Sequence, residues 1–297
     1  MRYGSVYRHS EALPKNLPEG WFTADYYRPL KTMNESLSST LKNVKYFLLD
    51  MDGTVYLGDK LIGETDKTLD IVRNAGKKII YLTNNSSKSV GEYVRKLERL
   101  NLFRKEDEVY TSGMAAAEFL SRERKGKTVN LLGVETLKDD FEKKGIVLTD
   151  ENPDICVLAY DTELTYKKLC AFTNGLFGGA EYIATHPDAV CPASPYFLPD
   201  AGSFISMIKT AVGREPSIVI GKPETGMGAE LKSRYKAIND DFLMVGDRLY
   251  TDIAFGVNCG FHSLLVLSGE STLSGVKKAD KKPEFILEDL NKITSYL

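Results

Sequence analysis

The stretch Phe47-Leu48-Leu49-Asp50-Met51-Asp52-Gly53-Thr54 sets two carboxylates at the end of an apolar run. Residues 44–49 have the length and the bounding of a buried strand, and the glycine marks where that strand must stop. In extended backbone two residues that are two positions apart leave the chain on the same side, so Asp50 and Asp52 face one volume. At about 4 Å and an effective dielectric near 20, two such charges repel by on the order of 4 kcal/mol. The pair therefore calls for a divalent cation with oxygen ligands, such as Mg²⁺. Taken alone, the same residues also read as an ordinary Asp/Gly turn.

The rest of the chain decides between these readings. Three more apolar segments end on a polar residue: 77–82 before Thr83-Asn84-Asn85, 218–220 before Gly221-Lys222-Pro223, and 242–245 before Gly246-Asp247. In a parallel sheet such ends share one edge, and residues far apart in sequence meet there. Singly, Thr83 reads as a turn hydroxyl, Lys222 as a solvated lysine and Asp247 as a capping carboxylate. Jointly they hold what phosphoryl transfer requires. Phosphate monoesters hydrolyse so slowly that the acceleration needed reaches ~10²¹, and most of it must come from positioning and charge neutralisation. Asp50 is placed to be a nucleophile that forms an aspartyl-phosphate. Asp52 is placed to protonate the leaving oxygen and then to deprotonate water. Thr83 offers a hydroxyl to the phosphoryl oxygens, helped by backbone N–H groups around Gly53, Asn84 and Asn85. Lys222 offsets the charge on Asp50 and the phosphate, Asp247 completes a metal site, and Asp252 orients that site from outside the ligand set or through water.

These residues need a frame, and the chain supplies an alternation of strands and helices. A helix at 65–75 closed by Gly76 leads to the strand 77–82. Ser89-Val90-Gly91-Glu92 is a capping box that opens a helix with Val90, Tyr93, Val94, Leu97 and Leu100 on one face. A strand follows at 108–111. Residues 117–212 read as a second α/β unit, with strands at 128–132, 155–160 and 182–185 and helices near 137–144 and 165–176. It ends in a loop, 186–201, which carries Pro187, Pro192, Pro195 and Pro199 and is long enough to suggest a function. Strands at 218–220, 242–245 and 264–267, a helix through Val257 stopped by Gly260, and a terminal helix at 287–297 complete the pattern. The fold class is α/β, a Rossmann-like parallel sheet core with a smaller inserted α/β cap. The division is a 1–40 extension, core parts at 41–116 and 213–297, and the insert at 117–212. The extension shows no sustained period but is rich in aromatics, including Tyr3, Tyr7, Trp21, Phe22, Tyr26 and Tyr27, and reads as a tail that docks its rings on the body.

Composition excludes several classes. The 297 residues are 42% hydrophobic with a net charge of −2, ordinary for a globular chain and without the basic footprint of a nucleic-acid binder. No window reaches the about 20 apolar residues of a membrane span, and the amino terminus lacks the apolar core of a signal peptide, so a cytoplasmic protein is expected. Cys156, Cys170, Cys191 and Cys259 form no metal-binding or disulfide pattern.

Asp50-Met51-Asp52-Gly53-Thr54, Thr83-Asn84-Asn85, Gly221-Lys222-Pro223 and Gly246-Asp247 with Asp252-Ile253 together resemble the four ordered motifs of the haloacid dehalogenase-like (HAD) phosphatases. The long interval between Thr83 and Lys222 is similar to the NagD-like and p-nitrophenyl-phosphatase-like branch. Val109-Tyr110-Thr111-Ser112, Thr185-His186-Pro187-Asp188 and Leu265-Val266-Leu267-Ser268-Gly269 add to the likeness. The resemblance implies that Asp50 is the nucleophile and a Mg²⁺ ligand. It further implies that Asp52 is the acid/base and a ligand through its backbone carbonyl, that Asp247 is the third protein ligand, and that Thr83 and Lys222 hold the phosphoryl group. The insert is then a cap that covers the cleft, reads the leaving group and forms a homodimer contact. His186 stands where an asparagine is common, which places substrate choice in the 186–201 loop. The expected activity is Mg²⁺-dependent hydrolysis of a small phosphorylated metabolite, a sugar phosphate, phosphoglycolate or nucleoside monophosphate. Phosphotransfer to another alcohol, as in a mutase, uses the same groups. A non-catalytic phospho-acceptor or metabolite-binding module does not need a second acid at Asp52.

Overall fold

A computed structural model describes residues 30–297 apart from 192–195. The expected docking of the aromatic tail, Tyr3 to Tyr27, lies outside the described residues, as do Pro192 and Pro195.

Two parallel sheets organise the chain. The larger has six strands in the order Phe285–Leu287, His262–Val266, Phe242–Gly246, Tyr46–Leu49, Lys78–Thr83 and Glu108–Thr111, with every pairing parallel. Parallel strands are covered on both faces, so their sequences read as near-continuous apolar runs. Alternate side chains enter two different cores. Leu48, Ile80, Leu82 and Met244 face one, while Phe47, Leu49, Tyr81 and Val245 face the other. A slip of one residue would exchange the two sets, and full burial of each such side chain contributes about 1.5–3 kcal/mol, so the register is firmly set. Leu49 stands opposite Val245 on one side and Tyr81 on the other. Asp50, the next residue, still belongs to the ladder through its N–H, which donates to Val245 O at 2.9 Å.

The second sheet has five parallel strands in the order Ile218–Val219, Glu181–Ala184, Ile155–Leu158, Thr128–Leu132 and Val147–Leu148. One apolar cluster joins the two sheets. It contains Leu48, Ile80 and Tyr110 from the first, Val129, Leu131 and Val157 from the second, and Ala115 and Ala116 from the helix Ser112–Glu123 between them. Phe172, Tyr182 and Ile208 form a separate core on the second unit. The parallel α/β frame and the inserted smaller α/β unit are thus both present.

Several local expectations are corrected. The strand at 218–220 was expected in the first sheet, yet Ile218–Val219 pairs with Glu181–Ala184 in the second. Ser217 N–H to Tyr182 O (2.8 Å) and Ile220 N–H to Ala184 O (3.1 Å) extend that pairing at both ends. Residues 30–43 form a helix, Leu30–Asn43, inside the stretch that shows no period. Its signal is the short series Leu37, Leu41 and Val44, all buried, masked by the aromatic and proline-rich composition before it. The expected terminal helix at 287–297 is a strand, Phe285–Leu287, followed by the tight 3₁₀ turns Leu290–Ser295. Asn291 explains this, because its side chain is tied to Ile62 O (3.0 Å), Thr68 Oγ1 (2.9 Å) and Asp289 Oδ1 (2.9 Å). The helices Ala201–Val212 and Gly226–Tyr235 escape a propensity reading because each carries glycine in its first turns. The capping box is formed as expected, with Ser89 N–H donating to Glu92 Oε2 (2.9 Å) and Glu92 N–H to Ser89 Oγ (3.3 Å). Among the described residues no helix is long and apolar enough to cross a membrane.

Candidate active site

Lys222 reaches the first sheet's edge from the end of the second sheet. Its Nζ lies 2.7 Å from Asp50 Oδ1, 2.7 Å from Asp252 Oδ1 and 3.3 Å from Leu82 O, and the residue is buried. Asn84 sets this reach. Its Oδ1 accepts from Lys222 N–H (2.8 Å), and its Nδ2 donates to Lys222 O (2.7 Å) and to Asp188 Oδ2 (3.1 Å). The loop that ends the strand Lys78–Thr83 thereby holds the lysine backbone at two points, which orients the amine that follows.

Asp247 follows the strand Phe242–Gly246, and Asp252 sits in the wide helical turn Leu249–Ile253. Oxygens of Asp50, Asp247 and Asp252 lie within 4.8 Å of one another. Burial, with the charges of Asp50 and Asp252, pushes the Asp247 carboxyl up to about 8, although the Glu270 N–H donates to it at 2.7 Å. Burial and Asp50 raise Asp252 to about 6 against the opposing pull of Lys222. Burial disfavours the Lys222 charge, but Asp252 and Asp50 outweigh it and hold the amine above the ordinary lysine range. Asp247 Oδ1 is buried with no hydrogen-bond partner among the described residues. Three converging carboxylates, one with an orphaned oxygen, form a hard all-oxygen donor set that fits a divalent cation of the Mg²⁺ kind. Gly53 makes the cradle possible: at φ +88° it has no Cβ, which would stand 2.5 Å from Asp247 Oδ2.

The expected site residues differ in what the structure does with them. Asp50, Asp247, Asp252 and Lys222 come together. Asp52 lines the same cleft but stands outside the three-carboxylate group. Solvent reaches Asp52 from the cleft, yet partial desolvation by the surrounding protein raises its carboxyl, opposed by the Gly58 backbone and the Lys96 charge. Thr83 lines the cleft as well, and its Oγ1 accepts the Asn85 N–H at 3.1 Å. Gly53 N–H donates to Tyr56 O (2.8 Å), so this N–H and that of Asn85 already have partners within the chain. The Asn84 side chain serves Lys222, and the Asn85 carboxamide turns to Ser87 (2.9 Å) and Cys191 Sγ (3.6 Å). His186, expected to bear on substrate choice, is fully buried, whereas Asp188 and Asp200 of the same loop line the cleft. Sequence reasoning missed Arg248. Its guanidinium stays charged beside Asp50, Asp247 and Asp252, with Nε 3.1 Å from Glu270 Oε2. The signal was present, since Arg248 directly follows Asp247 in a stretch read only for its acids.

Asp50, Asp52, Thr83, Lys222, Arg248 and Asp252 line one cleft of about 640 Å³, of a size for a small molecule, with Asp247 buried behind it. Residues 47–147 match a haloacid dehalogenase-like hydrolase model, and 219–293 match a second model of the same kind. An acid sugar phosphatase of Staphylococcus haemolyticus is 36% identical over 258 residues, which are 86% of this chain and 98% of that protein. Among solved structures, a 4-nitrophenylphosphatase from Thermotoga maritima superposes with a TM-score of 0.81 at 38% identity, covering 86% of this chain and 98% of the other. A protein described as a putative nagD protein gives 0.79 at 37%, covering 85% and 98%. Sequence, fold and the gathered carboxylates agree: the chain belongs to the haloacid dehalogenase-like hydrolases and is a phosphatase of that type.

Proposed function

We propose that this phosphatase is Mg²⁺-dependent and hydrolyses a small phosphomonoester, a sugar phosphate before others, through an aspartyl-phosphate at Asp50. One observation carries the reading. The Lys222 amine spans Asp50 and Asp252 at 2.7 Å each while Asp247 keeps a buried, unpartnered oxygen beside them. Asp50, Asp247 and Asp252 would hold the ion, which when bound neutralises charge on the phosphoryl oxygens. The residues do the remainder. Lys222 fixes one Asp50 oxygen, and the carboxylate attacks phosphorus as the bond to the leaving oxygen breaks. Asp52, its carboxyl raised toward the protonated form, gives that oxygen its proton. The resulting carboxylate then takes a proton from water, which attacks phosphorus, releases inorganic phosphate and restores Asp50. Thr83 and Lys222 line the cleft where the phosphoryl group must sit. The preference for sugar phosphates rests on the relatives named as acid sugar phosphatases and on the cleft's small-molecule size.

Phosphate release from p-nitrophenyl phosphate, measured with Mg²⁺ and with EDTA, tests the proposal. Turnover is expected with Mg²⁺ and is expected to vanish with EDTA and return when Mg²⁺ is restored. Turnover that EDTA leaves intact would overturn the metal dependence. A panel of phosphorylated metabolites in which no sugar phosphate is hydrolysed faster than p-nitrophenyl phosphate would overturn the substrate class.

A further inference from the structure

Asp52 marks the side of the cleft from which the leaving group departs, and the wall on that side is cationic. Lys88, Arg95, Lys96 and Arg99 all line the cleft, and the last three lie on the capping-box helix Val90–Arg99. The packing of this helix sorts its residues. Tyr93 and Leu97 are buried, so Arg95 and Arg99, four apart, are left on the exposed side with Lys96 half-buried between them. Lys96 Nζ stands over the Tyr56 ring at 3.9 Å. Its field reaches Asp52, and those of Lys88 and Arg99 reach Lys96.

Three of the acids that line this cleft are hydrogen-bonded within the chain, although the charge of Glu92 acts on Lys88 and Arg95 and that of Asp52 on Lys96. Glu92 closes the capping box on Ser89, Asp188 accepts from Asn84, and Asp200 is held by His186 and the Ala201 N–H. Asp59 pairs with Arg99 at 2.7 Å. Among the described residues Lys88, Arg95 and Lys96 have no carboxylate within 4.0 Å. The phosphoryl group itself is served by Lys222 and the carboxylate cluster, so it leaves these three cations without an ion-pair partner, Lys96 resting on the Tyr56 ring. Like charges gathered on one wall repel unless an anion joins them.

On the reading of the site as a phosphatase, we infer that this wall holds a second anionic group on the leaving group. The preferred substrates are then phosphomonoesters that also carry a phosphate or a carboxylate. Each cation offers charge-assisted hydrogen bonds to such a group, and Arg95 offers a planar fork matched to both anions.

Matched substrate pairs separate this inference from the reading beneath it. One pair is 3-phosphoglycerate against glycerol 3-phosphate, which isolates a carboxylate. The other is fructose 1,6-bisphosphate against fructose 6-phosphate, which isolates a second phosphate. The native chain is expected to favour the doubly anionic member by about tenfold or more in kcat/KM in at least one pair, the size of one good charge-assisted contact, and the pair that responds identifies the anion. Raising the salt concentration should shrink the preference. In the double variant Lys88→Gln, Arg95→Gln, whose substitutions lie at exposed positions, the ratio is expected to fall toward one. A ratio near one in both pairs for the native chain, or a preference unchanged in the double variant, overturns the inference. Failure to hydrolyse even p-nitrophenyl phosphate in the presence of Mg²⁺ overturns the phosphatase reading instead.

Discussion

At Asp247 a buried carboxylate oxygen has no partner among the described residues, while at His186 both ring nitrogens do. Nε2 of His186 faces Asp200 Oδ1 at 2.9 Å, and Nδ1 faces Thr185 Oγ1 at 3.0 Å and Ser112 Oγ at 3.4 Å. Thr185 continues to Ser86 Oγ (3.2 Å), which accepts the Tyr160 N–H (2.9 Å). Each ring nitrogen thus has a partner, a carboxylate at Nε2 and hydroxyls at Nδ1. Both clusters are buried and polar. One carries charge that its surroundings resist, with Asp247 and Asp252 both pushed up by burial and by the charge of Asp50. The other is a closed circuit of paired groups. Buried polar atoms are nearly always satisfied, so an exception signals either chemistry or an absent ligand. The contrast moves His186 from selector of substrate to fastening between the two α/β units, with Asp200 as the member that reaches the cleft.

The largest break in this comparison is Asp50→Asn. The amide cannot attack phosphorus, so hydrolysis of p-nitrophenyl phosphate should fall by at least about 10⁴-fold. The variant also removes a charge that raises Asp247 and Asp252, so without metal its Tm should be no lower than that of the native chain. Circular dichroism and thermal melts in EDTA check the second half. Appreciable turnover in the variant would rule out the covalent route through Asp50, and a collapsed fold would mean that the acid is structural.

A smaller effect separates the clusters by pH. Asp247 and Asp252 bind protons more tightly folded than unfolded, where a carboxyl has its ordinary value of 3.8. The stability they contribute is therefore full below about pH 4 and is lost as pH rises toward about 8. In EDTA the melting temperature should fall from pH 5 to pH 8. Added Mg²⁺ should raise it more at pH 8, because the ion binds deprotonated carboxylates of the folded state. A flat profile in EDTA, or equal stabilisation at both pH values, would place the metal elsewhere.

How much of this was legible in the sequence follows the same division. Asp50 and Asp247 could be read because each ends an apolar strand run, a local pattern of the kind that periodicity reveals. Lys222 arrives beside Asp50 as its place after an apolar segment suggests, yet that segment belongs to the other sheet, because two residues, Ile218–Val219, are too few to carry a pairing preference of their own. The role of Asn84 was hidden. A carboxamide that clamps the backbone 138 positions away leaves no trace in local spacing. The cationic wall left no such sign: the apolar face of the helix shows in its spacing, while nothing local says that Arg95, Lys96 and Arg99 border a cleft.

His186→Ala carries the comparison to its smallest effect on chemistry. The substitution opens a void at a fully buried position and, among the described residues, leaves Asp200 Oδ1 with only the Ala201 N–H as partner. Lost packing and unpaired polar groups together should cost about 2–3 kcal/mol. For a chain of this size that is a fall of roughly 5–10 °C in Tm. Among the described residues Asp50 and Asp247 have no bond to the His186 network, and Lys222 meets it only through backbone held by Asn84 and Thr185 and not through the ring, so kcat on p-nitrophenyl phosphate should stay within about threefold of native. His186→Gln, which can still donate to Asp200, should recover part of the lost Tm. The opposite pattern, an unchanged Tm with kcat reduced by a factor of ten or more, would show that the fastening sets the closed cleft itself. The distinction between strained site and satisfied scaffold would then fail, because the reacting groups would depend on the His186 network for their alignment.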